Sequence, residues 1–184
     1  MNRLDLFTVP LFVEELNLDT KSIEEYCLSH RDKNDGRIVS NIGGYQSDDV
    51  EIISMLVEEI NKHLNTFSES LELDAELYVH NMWININEFK DYNILHFHPN
   101  ALFSGVYYVR TPEKCGNIIF ENPVADMMYY NDITYKKWNT FNSYVHWQEA
   151  KENILYVFPG WLKHRVEPNL SDEKRISISF NITI

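Results

Sequence analysis

The sequence predicts a mainly β chain of the α+β kind, a jelly-roll-like sandwich with two N-terminal helices packed on one outer face. Three observations carry that reading. From Glu76 onward, short runs rich in Val, Ile, Tyr and Phe are separated by clusters of Pro, Gly, Asn and Asp, the pattern of strands and turns. Before that point, apolar residues recur at helical spacing. Aromatic residues make up 14% of the chain, which suits the large cores and pockets of β-rich folds.

Residues 6–15 read as an extended entry strand. Thr20 caps a short helix in which Ile23, Tyr26 and Cys27 recur at helical spacing. Residues 32–46, DKNDGRIVSNIGGYQ, are polar and contain glycine, so they read as a loop. Ser47 is placed to cap a longer helix that reaches about Ser68. Asp48 and Asp49 favour its positive end, and Ile52, Ile53, Leu56, Ile60 and Leu64 form one apolar stripe. Strands follow at about 76–88, 93–98, 102–110, 117–121, 153–158, 163–167 and 174–183. Residues 123–150, with Tyr129, Tyr130, Tyr135 and Trp138, break the pattern and read as a long insertion wrapped over one edge. No internal repeat, linker or low-complexity tract interrupts the 184 residues, so they are read as one domain. Its N-terminal strand and helices occupy 1–75 and its β core 76–184.

Composition narrows the function. With 44% hydrophobic and 24% charged residues, global disorder is excluded, and no apolar run approaches the roughly 20 residues of a membrane-spanning helix. The N-terminus lacks the basic start, apolar run and cleavage site of a signal peptide. Cys27 and Cys115 are far apart and form no CxxC, as expected for reduced thiols in a cytoplasmic protein. The formal net charge of −12 argues against nucleic acid as a partner, because phosphate binding needs a basic face. The serines lack a Gly-x-Ser-x-Gly context, and neither a P-loop nor a dinucleotide fingerprint is present.

Three motifs can carry chemistry. In His96-Phe-His98, residues two apart on a strand point to one face with α-carbons roughly 6.6 Å apart, so two imidazoles can converge on a metal. An isolated HxH also arises by chance on a solvated edge. His164, far downstream in FPGWLKHRVEP, adds a distal histidine that a sandwich can return beside the first pair; read alone, it is a histidine satisfied by a backbone carbonyl. In Arg175-Ile-Ser177-Ile-Ser179-Phe-Asn181, alternation sets the polar residues on one face and the apolar ones on the other. A solvated surface strand would read the same way, but a guanidinium in a β-pocket beside a metal is suited to grip a carboxylate. His30, His63, His80 and His146 read as structural or surface residues. Trp83, Trp138, Trp147 and Trp161 read as core or lid residues. Asn85, Asn87 and Asn93 flank the metal strand, where they line the pocket or shape a turn.

Taken together, HFH, SGVYYV, IIFENP, FPGWLKHRVEP and RISISFN resemble the prolyl-hydroxylase-like 2-oxoglutarate/Fe(II) oxygenases, and most closely an uncharacterised subfamily of them. SNIGGYQS at residues 40–47 is similar to part of the same pattern. The resemblance covers most of the chain and is most specific over 93–110 and 154–181. It implies a double-stranded β-helix core (jelly-roll or cupin-like) and iron bound through His96 and His164. It further implies 2-oxoglutarate held by Arg175 and Ser177, with Tyr108 hydrogen-bonded to the same carboxylate and Asn93 a further candidate to bind it. The family's usual iron motif is HxD or HxE, and here His98 stands at the carboxylate position. Either His98 completes a three-histidine site, or Asp91 or Glu121 supplies the third ligand, or the position is left to water.

The resulting expectation is an Fe(II)- and 2-oxoglutarate-dependent dioxygenase, with no catalytic residue beyond the metal centre. It would take O2 and a small-molecule or side-chain substrate and release succinate and CO2. Two rivals stand beside it: a cupin-like metal protein or dioxygenase that uses no 2-oxoglutarate, and a non-catalytic β-sandwich that binds a partner. The sequence leaves the substrate and the oligomeric state open, a homodimer included. Since imidazoles bind metal only when neutral, metal affinity is expected to fall near and below pH 6.5, the ordinary histidine pKa.

Overall fold

The computed structural model of the protein describes residues 2–50, 54–125 and 134–184. In chain order its elements are β1 (Phe12–Glu15), α1 (Thr20–Arg31), β2 (Asn41–Ile42), β3 (Tyr45–Gln46), α2 (Ser54–Ser70) and β4 (Tyr78–Asn87). Then come β5 (Tyr92–His96), β6 (Phe103–Arg110), β7 (Ile118–Glu121), β8 (Val145–Gln148), β9 (Ile154–Pro159), β10 (His164–Val166) and β11 (Arg175–Thr183). They form two antiparallel sheets, ordered β1-β9-β6-β11-β4-β3 and β2-β5-β10-β7-β8. This is the double-stranded β-helix that the sequence resemblance implies.

Strand alternation decides which way each residue faces. On β11, Ile176, Ile178, Phe180 and Ile182 are fully buried against the helices, in one core with Ile23 and Cys27 of α1 and Leu56, Ile60, Leu64 and Phe67 of α2. The helices therefore cover the outer face of the six-stranded sheet, as the sequence predicts. Arg175 and Ser177, on the opposite face of β11, point between the sheets. There a second apolar cluster gathers Val106, Tyr108, Ile118, Phe120, Tyr156 and Phe158.

Local chemistry departs from the sequence reading at several points. The cap of α1 is Asp19, not Thr20: its carboxylate accepts from Ser22 N at 3.4 Å and from Ser22 Oγ at 2.6 Å. Ser47 caps no helix. Its N–H donates to Ile84 O at 3.0 Å and its Oγ accepts from Ile84 N at 2.9 Å, which prolongs the β3–β4 pairing. Ile52 and Ile53 of the predicted stripe, and Tyr129 and Tyr130 of the insertion, lie outside the described residues. The loop at 32–46 contains β2 and β3, and the insertion at 123–150 supplies β8, the edge strand of the smaller sheet.

The short strands β2 and β3 join the sheets, because β2 pairs with β5 in one and β3 with β4 in the other. The link between them is Gly43-Gly44, both in the left-handed region (φ 66° and 64°). A Cβ on Gly43 would lie 2.0 Å from Asp91 Oδ1. Asp91 is itself committed, since its Oδ2 accepts from Glu88 N at 2.7 Å across the β4–β5 turn. Gly43→Ala should therefore destabilise the protein by at least about 1–2 kcal/mol from the backbone conformation alone. Urea unfolding should show a lower midpoint, and an unchanged midpoint would contradict this account of the link.

Candidate metal centre

The smaller sheet assembles the histidines. β10 pairs with β5 so that His164 stands opposite His96, and with β7 so that His164 stands opposite Phe120. Paired residues share a face, so both imidazoles enter the space between the sheets. His98 lies two residues past the end of β5, where its N–H donates to Gly160 O at 2.8 Å. That bond ties it to the turn preceding His164. One ring nitrogen from each of His96, His98 and His164 lies within 4.8 Å of the other two.

Two of the rings are oriented by the backbone. His96 Nδ1 bonds Ile94 O at 2.7 Å and His164 Nδ1 bonds Leu162 O at 2.8 Å. A carbonyl only accepts, so each Nδ1 carries the proton and each Nε2 presents a lone pair. Phe158 and Phe120 pack on the His164 ring, with centroids at 4.6 and 6.1 Å. Burial lowers the pKa of all three histidines, that of His98 to about 4 and that of His164 well below the ordinary value. The neighbouring His96 lowers His98 and His164 further. The rings therefore stay neutral to lower pH than a solvated histidine, and proton competition for any cation they hold begins below the pH 6.5 expected from sequence.

Arg175 is buried at 1% exposure on the facing sheet. Its Nη1 donates to the carbonyls of Cys115 and Glu167, while its Nη2 is buried without a partner among the described residues. Tyr108, one strand away and opposite Ser177, likewise buries its hydroxyl unpaired. Desolvation raises the tyrosine pKa and lowers that of the guanidinium. These two donors and Ser177 line the same pocket as the three histidines. Asn93 lines it too, but its amide donates to Ser40 Oγ at 3.1 Å.

The acids weighed as alternative ligands stand apart. Asp91 accepts from Glu88 N across the β4–β5 turn and lies beside the glycine link, and Glu121 is the neighbour of inward-facing Phe120, so its side chain leaves on the other face of β7. Neither joins the histidine group, and nor do His30, His63, His80 and His146. The sequence reading passed over Trp83 and Ser40 as pocket residues. For Trp83 a signal exists: it alternates with Asn85 and Asn87 along β4, and all three line the pocket.

A family model described as "Putative 2OG-Fe(II) oxygenase" matches residues 81–181, more than half of the chain and all of the pocket residues named above except Ser40. No curated protein matches the sequence. Among solved structures, the chain is similar to a Pseudomonas putida prolyl-4-hydroxylase, with TM-score 0.63, 15% identity, and 96% and 95% of the two chains covered. It is similar to a viral collagen prolyl hydroxylase of Paramecium bursaria Chlorella virus-1 in its 2OG complex, with TM-score 0.61, 13% identity and 94% of each chain covered. A third likeness is HygX from Streptomyces hygroscopicus with nickel and 2-oxoglutarate bound, with TM-score 0.62, 9% identity, and 95% and 83% covered. At these identities the likenesses show the shared fold.

The lowered histidine pKa values set a stability dependence. The unfolded chain takes up protons as pH falls through about 6.5, whereas the folded chain resists until its lowered values, about 4 for His98. Stability is thus fully present above pH 6.5 and lost below it, by on the order of a few kcal/mol. Thermal melts of metal-free protein should show Tm falling from pH 7 to pH 5, with a shallower fall in His98→Asn. An equal fall in both proteins would contradict the buried state of His98.

Proposed function

The chain belongs to the 2OG-Fe(II) oxygenase family and is a 2-oxoglutarate/Fe(II)-dependent oxygenase, and on that premise we propose that it hydroxylates a small molecule or side chain through a three-histidine iron site. Iron would be held by His96, His98 and His164 through their convergent ring nitrogens. When bound, the metal and its co-substrate supply the oxidation: one atom of O2 enters a substrate C–H bond, the other enters succinate, and 2-oxoglutarate loses CO2.

The protein's own residues supply placement. Arg175 offers a charged donor, with Tyr108 and Ser177 beside it, to the carboxylate of 2-oxoglutarate remote from the metal. The observation that carries this role is the pair of unpartnered buried donors, Arg175 Nη2 and Tyr108 OH. A donor left unsatisfied in a protein interior costs about 1–3 kcal/mol, and a carboxylate relieves both. Phe158, Ile118 and Val106 supply apolar wall among the polar groups that line the pocket. The same two donors favour this reading over a cupin-like protein that uses no 2-oxoglutarate.

We further propose that residues 1–184 act as one domain in the cytoplasm, with no nucleic-acid partner. Buried, unpaired Cys27 and Cys115 support the compartment, and the net charge of −12 supports the exclusion. No helix among the described residues is long and apolar enough to cross a membrane.

Two experiments test the assignment. Arg175→Leu should retain iron and the fold but weaken 2-oxoglutarate binding by about 3–5 kcal/mol, read by calorimetry on metal-loaded protein. Unchanged affinity would remove Arg175 from the site. His98→Ala should lose iron after anaerobic loading and desalting, and His98→Asp should restore it, because a carboxylate there recreates a two-histidine, one-carboxylate set. Full iron occupancy in His98→Ala would exclude His98 as a ligand.

A further inference from the structure

The three histidines are not supported alike. His96 and His164 are each pinned by Nδ1 to the carbonyl two residues upstream. His98 has no such bond among the described residues, and its ring makes a single polar contact, Nε2 to His164 Nε2 at 3.3 Å. It also lies beyond the end of β5, so the strand ladder does not hold it. A ring without a hydrogen bond at Nδ1 is free to turn about its Cβ–Cγ bond, which would swing Nε2 away from the other two nitrogens.

The His98 ring lies against its two fellow ligands, with centroids 5.2 Å from His96 and 5.1 Å from His164, and from the opposite sheet it meets Trp83. The indole stacks on His98 with centroids 5.6 Å apart and planes inclined by 27°. Trp83 is only 7% exposed and comes from β4 on the opposite sheet, where it pairs with Ser179 in the middle of the β4–β11 ladder. The contact therefore crosses the sandwich and braces a turn residue against the best-paired part of the fold. Among the described residues, no acid lines this pocket to hold the ring by charge.

We propose that Trp83 is the positioning residue of His98, its stacked indole replacing the carbonyl that orients each of the other two imidazoles. The proposal rests on the reading of His98 as a metal ligand. Its logic is specific to an imidazole at this position, because a flat neutral ring can be oriented by stacking and a carboxylate cannot. Trp83 touches neither metal nor substrate in this role; it acts through His98.

Anaerobic Co(II) titration of the full chain, followed by calorimetry, tests it. Trp83→Leu should weaken Co(II) binding about 10- to 100-fold, the usual effect of losing a partner that orients a ligand, whereas Trp83→Phe, which keeps a ring, should stay within about threefold of wild type. In a His98→Asp background the Trp83→Leu change should have no further effect, whereas general damage to the core would persist there. Should Trp83→Leu fail to fold, Trp83→Met, which fills the space without a ring, takes its place. Unchanged affinity in the ringless variant, equal losses in the Leu and Phe variants, or an undiminished loss in the His98→Asp background would overturn the role of Trp83. If His98→Asp binds no Co(II), the comparison of Leu with Phe decides alone. Wild-type protein that binds no Co(II) would instead overturn the three-histidine reading itself.

Discussion

The register of β10 between β5 and β7 is the constraint on which the site depends. Because His164 stands opposite His96, and the rings of such a pair share a face, two imidazoles enter the sandwich at one level. A slip of one residue would turn His164 outward and bring Arg165 in. That register is held from outside the pair. Phe120 faces His164 from β7, and the backbone of His98 bonds Gly160 at the turn that feeds β10. The histidines thus depend on ordinary sheet pairing, and their chemistry follows from where that pairing leaves them.

The facing sheet contributes the opposite electrostatic character. Its inward residues include one buried guanidinium and a phenol, and among the described residues no acid lines the pocket beside them. Burying an unpaired cation is costly, and the two backbone carbonyls that receive Arg175 Nη1 offset only part of that cost. Three neutral imidazoles on one sheet and one cation on the other leave the pocket short of negative charge. A dication adds to that shortage and a dicarboxylate offsets most of it, so metal and co-substrate are electrostatically complementary partners for this pocket. A carboxylate in place of His98 would lessen the demand by one charge.

Much of this was legible from residue order. The alternation of Arg175, Ser177 and Ser179 with Ile176, Ile178 and Phe180 placed β11 and both its faces, and the HxH with its distal histidine identified the residues that converge. Where the reading went astray, a tertiary contact outweighed a local signal. Ser47 has the chemistry of a cap, but the edge of β4 takes its hydrogen bonds, and Asp19 rather than Thr20 faces the first turn of α1. Strands as short as β2 and β3 carry too few residues to show a period, and β8 sits in a segment whose aromatics hide its alternation. Trp83 looks like any core aromatic until the other sheet brings His98 onto it. The acids Asp91 and Glu121 were equally open in one dimension; in the structure Asp91 lies beside the glycine link and Glu121 on the other face of β7, apart from the histidine group.

The central claim is that one pocket, built from three histidines on one sheet and Arg175 on the other, binds Fe(II) and 2-oxoglutarate together. The most direct measurement is the anaerobic visible spectrum of wild-type protein titrated with Fe(II) and then 2-oxoglutarate. Chelation of the metal by the keto acid end gives a weak charge-transfer band, whereas separate sites give none. The account predicts a band that needs both additions and saturates at one equivalent of each. A spectrum that stays featureless, while calorimetry shows both components bound, would place them apart and contradict it.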